Sequence, residues 1–116
     1  MKSETLGQKQ RRFSLMAAQL ILWIYDKGYE ATLGDAYRDP RVFGIVGEKK
    51  GYGHKKSGHK KRLAIDLNLF IEGVYQTSTE AYKEVGMYWE SLSEDARWGG
   101  RFNDGNHFSL EHEGTM

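Results

Sequence analysis

Between Leu63 and Phe70 the chain alternates without a break. Leu63, Ile65, Leu67 and Leu69 point one way, and Ala64, Asp66, Asn68 and Phe70 point the other. A strand with one apolar face and one more polar face satisfies that pattern, and such a strand must pack its leucine face on something. Asp66 stands out within it, because aspartate is depleted from strands and here lies between Ile65 and Leu67.

The rest of the chain supplies partners for that strand. Phe13, Ala17, Leu20, Ile21 and Ile24 fall at helical spacing, predicting a helix from about Ser3 to Lys27 that Gly28 stops. Tyr29 to Tyr37 is β-prone, and Pro40 ends the tendency. Residues 44–58 carry Gly44, Gly47, Gly51, Gly53 and Gly58 and read as a loop. Thr77 with Glu80 has the form of a capping box, opening a helix over Ser78–Leu92 with Ala81, Val85, Trp89 and Leu92 inward. A glycine-rich loop, Arg97 to Gly105, precedes a short strand, Asn106–Glu111. That strand puts His107 and Ser109 on one face and Phe108 and Leu110 on the other. The order helix, strand, strand, helix, strand predicts an α+β fold, a small antiparallel sheet with flanking helices.

Length and composition narrow the function. A chain of 116 residues fits one domain spanning 1–116. With 39% hydrophobic and 28% charged residues it has the composition of a globular protein, and a monomer is expected. A net charge of +1 excludes a general polyanion binder. The charge is uneven, however: Lys49, Lys50, Lys55, Lys56, Lys60, Lys61 and Arg62 make a basic run over residues 49–62. A solvated loop is the simplest reading of it, and long-range attraction of polyanions is the functional one. Tyr52 is the run's only aromatic residue, too little for base stacking, so no specific nucleic-acid partner is expected. The N-terminal segment lacks the pattern of a signal peptide, and the apolar run Leu20–Ile24 is too short to span a membrane. Synthesis in a cytoplasm is therefore expected, with some other route outward.

The chain has no cysteine, which excludes disulfides and thiolate metal sites. Any metal must be held by histidine and carboxylate, as in catalytic rather than structural zinc sites. Two segments offer such groups. His59 leads into the Asp66 strand, and His107 opens the last strand three residues after Asp104. Two imidazoles and one carboxylate form the three-ligand set that leaves a fourth position for water. Asp104 can reach the same place from its loop and act as general base. His54 and His112 lack such a context and read as ordinary surface histidines. Trp98 reads as core, as a wall of the site, or as both.

These segments resemble a known family. Ser57-x-His59, Asp66, Trp98-Gly99-Gly100 and Asp104-x-x-His107 together are similar to the zinc peptidases. That family includes D-alanyl-D-alanine carboxypeptidases, vancomycin-resistance dipeptidases and phage L-alanyl-D-glutamate endopeptidases. The likeness spans roughly residues 30–112 and is strongest to the phage endolysin branch, where Trp-Gly-Gly and Asp-x-x-His-Phe occur together. The resemblance implies the small α+β fold shared with the hedgehog signalling domain. It implies Zn2+ ligation by His59, Asp66 and His107, and Asp104 as catalytic base. It further implies substrate contacts from Ser57 and Trp98, and an oxyanion contact from Arg38. Arg62 departs from the pattern, since many relatives have glycine there. The expected activity is hydrolysis of the peptidoglycan stem peptide between L-Ala and D-Glu, by an endolysin released through a holin-type route. The alternatives are a D-Ala-D-Ala carboxypeptidase or dipeptidase of the same fold, and a non-catalytic wall-binding or phage structural module. A nucleic-acid binder acting through the basic run is a further rival.

Overall fold

Thr5 sets where the first helix begins. Its hydroxyl accepts from the Gln8 amide at 3.1 Å, and the Gln8 side chain accepts from the Thr5 amide at 2.8 Å. This reciprocal capping box starts helix α1 at Leu6 rather than near Ser3, and α1 runs Leu6–Asp26. Its far end closes as expected at Gly28, which has φ 85°. The Gly28 amide reaches Tyr25 O and the Tyr29 amide reaches Ile24 O, so the last carbonyls are satisfied by a Schellman pair. The computed structural model describes residues 4–34 and 62–112. Arg38, His54, Ser57, His59 and the basic run up to Lys61 lie outside the described residues.

Five strands are found among the described residues. They are β1 (Glu30–Leu33), β2 (Ala64–Ile71), β3 (Val74–Tyr75), β4 (Ala96–Trp98) and β5 (His107–Leu110). The sheet order is β1-β2-β5-β4, with β3 paired to β2 as a hairpin, and every pairing is antiparallel. The expected α+β class with a small antiparallel sheet is the observed one. Two strands fall outside the expected element order. β3 follows a two-residue turn in which Glu72 (φ 52°) and Gly73 (φ 77°) both take positive φ, the geometry that matches strand twist in a tight hairpin. β4 occupies the start of the expected Arg97–Gly105 loop. Three residues are too few to show a period, and this strand exists because it pairs with β5.

The second helix also begins differently from expectation. Ser78, not Thr77, is the cap, its hydroxyl accepting from Ala81 N at 3.2 Å. A 3-10 turn over Thr79–Tyr82 leads into α2 (Lys83–Ser91). That turn carries Tyr82 inward, where its hydroxyl accepts from Leu69 N and donates to Gln76 O.

The leucine face of β2 is the floor of the core. Leu63, Leu67, Leu69, Phe108 and Leu110 are at most 1% exposed, and α1 and α2 cover them with Leu20, Ile24, Val85 and Trp89. Trp89 meets Phe13 and Phe108 edge-on at 5.7 and 6.1 Å, and its indole N–H donates to Ser109 O at 3.0 Å. Burial of one continuous apolar face is what fixes the register.

An ion cluster ties α1 to the turn before β4. Arg12 donates to Asp95 Oδ2 at 2.7 Å, Ser93 donates to the same carboxylate, and Lys9 stands 3.4 Å away. Burial works against the charged carboxylate, but the hydrogen bonds from Arg12 and Ser93 and the nearby positive charges outweigh it. Asp95 is held well below the usual carboxylate range. A depressed folded-state pKa adds stability above the unfolded value, near pH ~4, and that gain is lost as pH falls toward the folded value. Asp95→Asn should therefore lower unfolding free energy by about 1–2 kcal/mol at pH 7, and the gap should narrow below pH ~4. Urea melts of both proteins at pH 7 and pH 3 check this; an equal gap at both values would contradict it.

Candidate active site

The opposite face of β2 is polar at its centre. Register pairs Asp66 with His107 and Thr32 with Asn68, so these side chains lie on one side of adjacent strands. Asp66 Oδ1 and His107 Nδ1 are 3.2 Å apart, with side chains 19% and 13% exposed. Beside them runs an amide row: Asn106 Nδ2 donates to Asn68 Oδ1 at 3.3 Å, and Asn68 Nδ2 donates to Thr32 Oγ1 at 3.4 Å. Asn68 and Asn106 were not singled out from sequence. The signal for Asn68 was present, because it lies two residues beyond Asp66 on the same face of the alternation.

The Asp66–His107 separation bears on a metal. A charge-assisted N–H···O bond between imidazolium and carboxylate runs to about 2.7–2.9 Å. Two ligand atoms, each about 2.0–2.1 Å from a tetrahedral zinc ion, would stand about 3.3–3.4 Å apart. The observed 3.2 Å is the length of an ordinary imidazole–carboxylate hydrogen bond and also leaves room for the two atoms to share one ion. Oxygen and nitrogen donors on one face, part-buried and across one ladder rung, fit zinc. His59, the third expected ligand, lies outside the described residues.

Asp104 reaches this pair through the backbone. Its amide donates to Gly99 O at 2.9 Å, and its carbonyl accepts from the His107 amide at 3.1 Å. The Asp104 side chain is exposed while its main chain is held at both ends. Gly99 fits between the two residues. A Cβ there would overlap Asp104 O and stand 2.8 Å from His107 Cβ and 3.3 Å from Asp104 Cβ. The glycine thus lets the expected base and the expected ligand sit side by side.

Trp98, read from sequence as core, as site wall or as both, packs in the core. It is 6% exposed, and its indole is flanked so closely by Gly86 and Gly100 that a Cβ on either would overlap the ring. Its indole N–H donates to Gly105 O at 2.7 Å. Trp98 thus holds the Gly99–Gly105 turn in place. Glu90 supports the same turn. It accepts from Trp98 N at 3.1 Å and from Arg101 Nε at 3.0 Å. The Arg101 bond holds the Glu90 carboxyl below its ordinary value against the opposing effect of burial. Ser109, on the face of His107, is fully buried with a hydroxyl that finds no partner among the described residues. Glu111 forms an edge ion pair with Arg97 at 2.6 Å. No helix among the described residues is long and apolar enough to cross a membrane.

The arrangement combines two metal-compatible donors, a neighbouring carboxylate free to face a ligand, and a polar floor. No curated protein matches the chain by sequence. Among solved structures, the Serratia marcescens L-Ala D-Glu endopeptidase ChiX is similar in fold, with a TM-score of 0.63 at 17% identity. The match covers 88% of this chain and 77% of that one. The family model described as D-alanyl-D-alanine carboxypeptidase matches residues 50–110, a stretch that holds His59, Asp66, Asp104 and His107. The chain is a peptidase belonging to the D-alanyl-D-alanine carboxypeptidase family.

Proposed function

We propose that this protein is a zinc-dependent endopeptidase of peptidoglycan, cutting the stem peptide between L-Ala and D-Glu. The observation that carries the reading is the Asp66–His107 pair with Asp104 tied to His107 by one backbone hydrogen bond. The choice of bond draws support from the activity in the name of the Serratia marcescens protein of similar fold.

His59, Asp66 and His107 would hold the ion. Zinc, when bound, polarises a carbonyl and lowers the pKa of water to about 7. Asp104 takes the proton from the attacking water and returns it to the departing amine. Its main chain is held next to His107 by the bond from the His107 amide, which limits how far the carboxylate can stray. Arg38 and Ser57 are assigned to the oxyanion and to substrate binding, and the basic run 49–62 to attraction by anionic envelope polymers. We further infer a phage or prophage endolysin, reaching the wall from the host cytoplasm through a holin-type route. The residues supporting this are Trp98-Gly99-Gly100 and Asp104-x-x-His107-Phe108.

A second reading, release of terminal D-Ala, is favoured by the description of the family model. One experiment separates the two. Purified peptidoglycan is digested, new termini are identified by mass spectrometry, and metal is measured by elemental analysis. The expected result is one zinc per chain, new N-terminal D-Glu, and loss of both zinc and cleavage on chelation. Free D-Ala without new N-terminal Glu would replace the endopeptidase reading with the carboxypeptidase one. A metal-free protein of full activity would remove zinc from the mechanism.

A further inference from the structure

A cleft of about 180 Å³ opens directly from Asp104. One wall is the turn that follows β3, with Gln76, Thr77 and Thr79; the other is the loop with Asn103, Asp104 and Asn106. The two walls are held together by close packing, since a Cβ on Gly105 would stand 2.9 Å from Thr79 Cα. Tyr82 fixes the first wall from beneath through its bond to Gln76 O. The cleft is therefore a built feature of the fold.

Its chemistry is narrow. Among the described residues lining it there is no lysine, arginine or histidine, and Asp104 is the sole acidic side chain. Hydroxyl and amide groups supply the rest. Ser78 spends its hydroxyl on the helix cap, and Gln76 Nε2 is bonded to Val74 O. Thr77 and Asn103 are exposed and Thr79 half-buried, and none of the three makes a side-chain hydrogen bond to another described residue. Those groups can pair with an amide, whose N–H and C=O match hydroxyl and amide partners. Among the described residues a carboxylate would find no cation there, and it would share the cleft with the Asp104 carboxylate, a like charge.

We propose that this cleft is the subsite for the residue that carries the departing amine, and that it selects a neutral carboxamide over a free carboxylate on that residue. This rests on the reading of Asp104 as the group that returns the proton to the leaving amine, because that role puts the leaving residue on the Asp104 side. For the L-Ala–D-Glu bond, the leaving residue bears an α-carboxyl group that can be free or amidated. The protein would thus favour peptidoglycan in which that group is amidated.

The test uses two synthetic stem peptides identical except for carboxamide or carboxylate at that position, and the two corresponding leaving-side fragments. Cleavage is read as kcat/KM, and fragment binding as amide NMR shifts and Kd. The carboxamide peptide should be cut about tenfold faster in kcat/KM, equal to ~1.4 kcal/mol. Its fragment should shift the amides of Thr77, Thr79 and Asn103. Thr77→Lys, which adds a cation at the exposed rim, should raise kcat/KM for the carboxylate peptide about three- to tenfold, leaving zinc content unchanged. Equal cleavage and equal binding of the two forms would overturn the proposal, as would shifts elsewhere than this cleft or an unaltered ratio in Thr77→Lys. If neither peptide is cut yet the carboxamide fragment alone binds here, the subsite stands and the peptidase reading falls.

Discussion

Asp104→Ala is expected to lower kcat by about 10²- to 10⁴-fold, the range carried by general acid–base groups. Zinc content and thermal stability should stay at wild-type values. The separation follows from how Asp104 is attached. Its main chain bonds to Gly99 and His107, and those bonds survive truncation of the side chain. The carboxylate itself is exposed and supports no other described side chain, so its loss removes chemistry rather than structure. Asp104→Glu should recover part of the rate, because the longer side chain keeps the carboxylate near His107. Single-turnover hydrolysis of a defined stem peptide, with elemental analysis on the same samples, is the measurement. A variant retaining zinc and full turnover would show that another group is the base. A wild type that cut no stem peptide would instead reopen the non-catalytic wall-binding reading.

Gly99→Ala should be nearly as damaging for the opposite reason. The added methyl meets the Asp104 carbonyl and His107 Cβ, both main-chain or near-main-chain atoms that cannot swing away. Relief requires moving β5 or the Gly99–Gly105 turn, and overpacking of this kind costs about 1–3 kcal/mol. Because the displaced atoms belong to a proposed ligand and the proposed base, kcat/KM should fall by about 100-fold or more, as small misplacements of catalytic groups do. Weaker zinc retention should accompany it, measured by competition with a chromophoric chelator. Gly73→Ala is the control. Gly73 sits at φ 77° with nothing within 4 Å of its would-be Cβ, so alanine there strains the hairpin and leaves the site alone. It should cost about 1 kcal/mol of stability with unchanged turnover. Equal activity loss in both variants would mean that general instability, not geometry at the site, explains the Gly99 effect.

Much of the fold was legible before any coordinates. The alternation over Leu63–Phe70 announced β2 with its faces correctly assigned, and the stripe ending at Gly28 announced α1. The misses share a cause. β3 and β4 are two and three residues long, and strands that short carry no period. They form because a neighbouring strand offers unpaired backbone groups, which is information held elsewhere in the chain. The one-residue shift of the cap before the second helix is similar. Thr77 and Ser78 are both competent caps, and the inward bonds of Tyr82 decide between them.

The sequence by itself determined the kinds of groups present: histidines and carboxylates without cysteine, an aspartate on the polar face of a strand, and a histidine opening another strand. Local periodicity was enough for that, because which face a side chain takes depends only on its parity along the strand. Tertiary structure alone decided that β2 and β5 are neighbours in a register that sets Asp66 opposite His107. It also decided that Trp98 is spent on holding a turn, and that Gly99 and Gly105 bring Asp104 between His107 and the amide-lined cleft. Register and close approach arise from the burial of an apolar face shared by residues far apart in the chain, and no short stretch of sequence contains that sum.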